Sequence, residues 1–126
     1  MACESFRIYY PKNKAAKSAW SSRYGLNAYY AGKHWSGRKS DAEFWHLATR
    51  AAMSKQVVRL KPFEKPVILT FYFNDRLDCS NHAMLIKMIE DGMKGRIIAD
   101  DSREYVHGIE CYFHDEDYIL IQIREV

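Results

Sequence analysis

The run VILTFYF, Val67–Phe73, narrows most what this chain can fold into. A strand turns successive side chains to opposite faces, so a run of β-branched, aromatic and leucine residues must be covered on both. It is far shorter than the roughly 20 apolar residues of a membrane-spanning helix. Pro66 precedes it and Asn74-Asp75 follow, so it predicts the most central strand of a sheet.

The other elements are read around it. Glu4–Tyr10 alternates Phe6, Ile8 and Tyr10 against Ser5, Arg7 and Tyr9 and predicts a short strand closed by Pro11. Lys12–Lys39 has no clear periodicity and predicts a long loop. Ser40 or Asp41 serves as N-cap for a helix to about Gln56, with Phe44, Trp45, Ala48, Ala51 and Ala52 as its buried stripe. A second helix runs from Ser80 to about Met93 and stops at Gly92 or Gly95. Glu104–Phe113 and Tyr118–Glu125 predict two strands, joined by His114–Asp117 as a hairpin loop. The expected fold class is therefore α+β: about four strands in a mixed sheet, with two main helices packed on one face, in a single domain over residues 1–126.

At 126 residues one core is affordable, and 48% hydrophobic with 28% charged residues is a globular composition. The start, MACESF, lacks the regions of a signal peptide. Cys3, Cys79 and Cys111 are odd in number and widely spaced, which argues against a disulfide framework or structural zinc and fits a reducing cytoplasm. No membrane partner is expected.

The net charge of +3 hides an asymmetry: seven Lys/Arg and no acid between Pro11 and Ser40, but twelve Asp/Glu against six Lys/Arg from Asp75 onward. One explanation is a basic half facing a polyanion and an acidic half holding a cation; the other is two independently solvated faces.

The acidic half centres on Asp75–Val106. On a helix, Ser80, Lys87 and Asp91 share a polar sector opposite Leu85, Ile86, Ile89 and Met93. This is either a solvated face with a Lys87–Asp91 pair or part of a site. Hard cations such as Mg²⁺ take carboxylate oxygens, and a lysine can neutralise charge on a phosphate. Asp78, Asp100 and Asp101 are the candidate ligands and Lys87 the candidate cation. Asp91 lies roughly 16 Å along the axis from Ser80, so it joins Asp78 on one metal only with difficulty. Asp100 and Asp101 join the helix only if their loop folds back along it or arrives from a second subunit.

The basic half carries LNAYYAGKHWSGRK, Leu26–Lys39. Lys33, Arg38 and Lys39 suit phosphates, and Tyr29, Tyr30 and Trp35 suit base stacking or, alternatively, anchor a long segment to the core. His34 is either a structural hydrogen-bonder or a phosphate contact. No histidine spacing suits zinc.

Together the two blocks resemble the RusA family of Holliday-junction resolvases, small homodimeric endonucleases of phages and prophages. The resemblance spans about Leu26–Val106. It rests on Asn27, Gly32, His34, Trp35 and Arg38, then on Asp78, Asn81, Lys87, Asp91, Asp100, Asp101, Ser102, Tyr105 and Val106. It implies a RusA-like fold and Mg²⁺-dependent cleavage of branched DNA in recombination and repair, with Mn²⁺ as a substitute metal. The host would be a bacterial cytoplasm, and no organic cofactor is implied. By position, Asp78 and Asp101, with Asp100 beside them, would hold metal, and Lys87 would be the catalytic lysine, with Asp91 in support. Asn27, Lys33, His34, Trp35, Arg38, Lys39 and Asn81 would meet DNA. Two departures stand out. The family pattern Asp-x-Asp-Asn reads Asp78-Cys79-Ser80-Asn81 here, with serine for the second acid. The interval from Asn81 to Lys87 is also about one helical turn longer. An alternative is a junction-binding protein of the same fold with impaired catalysis.

Overall fold

The computed structural model describes residues 2–126. Four strands, β1 (Cys3–Tyr9), β2 (Val67–Phe73), β3 (Val106–Phe113) and β4 (Tyr118–Glu125), form one mixed sheet in the order β1-β4-β2-β3. β4 runs antiparallel to both β1 and β2, while β2 and β3 are parallel. The α+β class and the interior place of β2 follow the sequence reading. Val67, Leu69, Phe71 and Phe73 are fully buried, and burial of each such side chain contributes about 1.5–3 kcal/mol. Phe6, Phe71 and Ile121 align across three strands on the face that helices cover.

His114–Asp117 is not a hairpin loop, because β3 and β4 are not neighbours: β2 lies between them. The four residues cross the end of β2, where His114 N–H donates to the Phe73 carbonyl (3.0 Å) and the Asn74 side-chain amide to the Glu116 carbonyl (2.9 Å). Two strand spacings are about 10 Å, within reach of so short a segment. Loop length suggested adjacency, but the backbone ladder of β2 is paired on both edges, parallel with β3 and antiparallel with β4.

Lys12–Lys39 is mostly helix rather than loop: α1 (Lys14–Tyr24), α2 (Leu26–Tyr30) and the start of α3 (Trp35–Gln56). The Asn13 side chain accepts from Ala15 N–H (2.8 Å) and Ala16 N–H (3.2 Å), a cap that marks where α1 begins. Trp20 packs edge-on against Tyr10, Tyr24 and Trp45, which fixes α1 to the core. α3 begins at Trp35, five residues before Ser40, with His34 as its cap: Nδ1 accepts from Ser36 N–H at 3.2 Å. Its buried residues are Asp41, Trp45, Thr49 and Met53, while Phe44 is exposed. Asp41 therefore caps nothing; it is an interior anchor.

The second helix divides into a 3₁₀ turn, Cys79–His82, and α4 (Ala83–Met93). Leu85, Ile86, Ile89 and Met93 are buried as their spacing requires. Gly92 does not stop α4 but lets it approach α3: a Cβ there would stand 2.9 Å from Thr49 Cβ and 3.3 Å from His46 Cα. The turn belongs to Gly95, at φ +79°. Because the Gly92 contact is partly backbone, Gly92→Ala is expected to cost about 1–3 kcal/mol despite alanine's better helix propensity. A fall in the urea midpoint at unchanged m-value is the check; a rise would show that α3 yields.

Candidate acidic site and basic helical surface

After Gly95 the chain returns along α4 because Ile97 and Ile98 are fully buried there, and Ile97 N–H donates to the Met93 carbonyl at 3.1 Å. Asp100 and Asp101 follow this anchor and so reach the polar side of the helix. Lys87 donates to Asp101 Oδ2, and its Nζ lies 3.1 Å from Asp91 Oδ1 and 3.7 Å from Glu90 Oε1. Lys94 Nζ lies 3.1 Å from Asp101 Oδ2 and 3.2 Å from Asp91 Oδ1. Asp91 Oδ1 meets both ammonium groups at angles short of a hydrogen bond, so its pairing is purely electrostatic.

The hydrogen bond from Lys87, reinforced by Lys94, pulls the Asp101 carboxyl down to about 2. The same bond to Asp101, then the adjoining Asp91 carboxylate, raises Lys87 above its ordinary value. Lys94 is raised by the same two partners, and burial pushes Glu90 up. At neutral pH Lys87 is thus a fixed cation, suited to neutralising a phosphate and unsuited to accepting a proton.

The structure therefore brings Asp91 to Asp101 and Lys87. Asp78 is exposed at the head of the 3₁₀ turn and has no side-chain capping bond. It precedes the whole of α4, whose 11 residues rise about 16 Å. Asp100 is exposed, Ser80 is exposed, and Asn81 N–H donates to the Asp78 carbonyl at 3.0 Å. Among the described residues no group of three His, Cys, Asp or Glu side chains is placed to hold a metal ion. The trio Asp78, Asp100 and Asp101 is not assembled within this chain. The carboxylate pair Asp91 and Asp101, facing the same two cations, meets the lesser demand of Mg²⁺, which is often bound by one or two carboxylates with water and phosphate.

Sequence reasoning passed over Lys94, although it lies seven residues from Lys87 and three from Asp91, on the same helical face. It also took Asp75 for part of the acidic run. Asp75 is a buried anchor instead: both its oxygens lie 2.9 Å from His82 Nε2, Leu77 N–H donates to it (2.9 Å), and so does the Tyr10 hydroxyl (3.2 Å). His82 stacks on Phe73 with ring centroids 3.8 Å apart.

The basic segment divides sharply. Tyr29 is buried, and its hydroxyl donates to Asp41 Oδ2 at 2.7 Å. Lys33 donates to the same oxygen at 2.6 Å, and Arg23 to Oδ1 at 2.9 Å. Burial alone would raise the Asp41 carboxyl, but bonds from Lys33, Tyr29 and Arg23 outweigh it and hold it below the ordinary range. Lys33 is thus already paired inside the protein. Tyr30 and Trp35, by contrast, are 80% and 69% exposed. They stand with exposed Asn27, His34, Arg38 and Lys39 on α2 and the start of α3. α2 packs beside the 3₁₀ turn, so this surface adjoins the Asp78 segment, and Gly25 makes room for Leu77 there.

The site and fold define an α+β chain with a four-stranded mixed sheet, a lysine-bridged carboxylate pair and a separate basic, aromatic helical surface. Comparison with protein-family models, with curated proteins and with solved structures gave no match. Among the described residues no helix is long and apolar enough to cross a membrane.

Proposed function

We propose that the chain is a RusA-type, Mg²⁺-dependent endodeoxyribonuclease that cuts four-way or related branched DNA as a homodimer. The observation that carries this reading is the return of the Asp100–Asp101 loop onto α4, where Asp101 meets Lys87 and Asp91. All three positions belong to the later block of the resemblance, and a solvated helix face alone would not require the loop.

In this reading Asp91 and Asp101 hold the metal, and Asp78 contributes after its segment moves or from the partner protomer. Bound there, Mg²⁺ supplies an activated water and stabilises the leaving oxygen. Lys87 would neutralise the phosphate, and Lys94 would keep Asp101 in position. Tyr30 and Trp35 stack unpaired bases at the branch, while Arg38 and Lys39 neutralise phosphates.

The test is cleavage of a four-way junction, a flap and linear duplex in Mg²⁺ and in Mn²⁺, with binding measured in parallel. Metal-dependent cutting of a branched substrate over duplex is expected. Exposed Ser80, standing where the family pattern has an acid, favours a second reading: a junction-binding protein that does not cut. Salt-sensitive junction binding with no cutting in either metal would select it. Absence of both would sink the nucleic-acid reading altogether.

A further inference from the structure

Two of the three cysteines, 32 positions apart in sequence, meet in space. Cys79 Sγ donates to the Cys111 carbonyl at 3.4 Å, and Cys111 Sγ to the Cys79 carbonyl at 3.9 Å. This reciprocity brings each thiol to the other residue's backbone, where the 3₁₀ turn begins beside β3; a disulfide there needs a Cα separation of about 4.4–6.8 Å. Both side chains are half-buried, whereas Cys3 is exposed and lies on the far edge strand, β1. Neither thiol has a metal-ligand set around it among the described residues.

We infer that Cys79 and Cys111 are a reversible dithiol–disulfide pair, a modification site that closes the chain around α4. The oxidant is a low-molecular-weight disulfide such as oxidised glutathione. Cys79 loses its proton to solvent, and its sulfur attacks one glutathione sulfur and expels the other as thiolate. Cys111 then loses its proton, attacks Cys79 Sγ and expels the second glutathione. Two electrons pass from the protein pair to the oxidant, which leaves as two thiols. Burial, then the hydrogen bond with Cys79, pushes the Cys111 thiol up to about 12.

The loop so closed contains Lys87, Asp91, Lys94, Asp100 and Asp101, and its first residue follows Asp78 directly. A bond there holds Asp78 at the head of the 3₁₀ turn, away from Asp101. Its effect on cutting rests on the nuclease reading; the bond itself does not.

The test uses the full chain, reduced and freed of reductant, then exposed to oxidised glutathione. Non-reduced peptide mapping is expected to show the Cys79 and Cys111 peptides joined, two hydrogens lighter than their sum, with Cys3 outside the link. The melting temperature should rise by roughly 5–10 °C and fall back with dithiothreitol. Separate glutathione adducts, free thiols at both positions, or a link that lowers the melting temperature would overturn the inference. The oxidised protein should cut branched DNA at least tenfold more slowly, reversibly, while Cys111→Ser is insensitive to oxidant. Undiminished cutting by fully linked protein would overturn the regulatory part. If the reduced protein never cuts, the nuclease reading fails and the link is judged by mass and melting alone.

Discussion

Asp101→Asn protein is expected to bind four-way DNA with unchanged salt dependence and to cut it at least about 100-fold more slowly. The amide keeps the size of the side chain but removes the charge that two ammonium groups converge on. Lys87 and Lys94 then share only Asp91, and the site has one carboxylate fewer to hold a cation. The fold should survive, because Asp101, Lys87 and Lys94 are all partly exposed and such pairs contribute little to stability. Parallel measurements of cutting rate, binding and melting temperature separate the outcomes. Wild-type cutting would remove Asp101 from the chemistry, and loss of binding together with lowered melting would mean damage to the fold.

A larger effect on stability is expected at Asp41. Its side chain is fully buried and carries three hydrogen-bonded partners from α1, α2 and the turn before α3. Removing one member of a buried charged set costs about 3–5 kcal/mol when the remaining charges stay trapped. Arg23 is half exposed and can re-solvate, so about 3 kcal/mol is expected for Asp41→Ala, read as a lowered urea midpoint. Arg23→Ala should cost far less, since Lys33 and Tyr29 still satisfy the carboxylate. The pH dependence has a definite sign. Asp41 titrates lower folded than unfolded, so its stabilisation is full above the ordinary carboxylate pKa and is lost as pH falls through the folded value. Asp101 acts in the same direction, its contribution fading between about 3.8 and about 2. The acid limb of stability against pH should therefore be flatter in Asp41→Ala than in the wild type; equal slopes would show that folding does not lower the Asp41 pKa.

Both residues show what patterning conveys. Leu85, Ile86, Ile89 and Met93 were legible because α4 is amphipathic, and β2 because its run is almost wholly β-branched and aromatic. Lys12–Lys39 was not legible as helix. Its apolar residues serve two short helices broken at Gly25, so no single 3.6-residue stripe runs through it. Tyr29, Tyr30 and Trp35 look alike as sequence; burial makes the first an anchor and leaves the other two outside. Asp41 resembled an N-cap because capping acids and buried acids are the same residue type, and only the arrival of Lys33, Tyr29 and Arg23 distinguishes them.

The sequence by itself determined the α+β class, the interior position of β2, the apolar face of α4 and the separation of basic and acidic halves. These depend on local periodicity and composition, which one strand or one turn already expresses. Only the tertiary structure decided that β2 separates β3 from β4, that Asp101 meets Asp91 rather than Asp78, and that Cys79 meets Cys111. Each of these joins residues that are distant in sequence. The burial of Ile97, Ile98 and β2 sets them, and spacing along the chain carries no record of which buried surfaces will face one another.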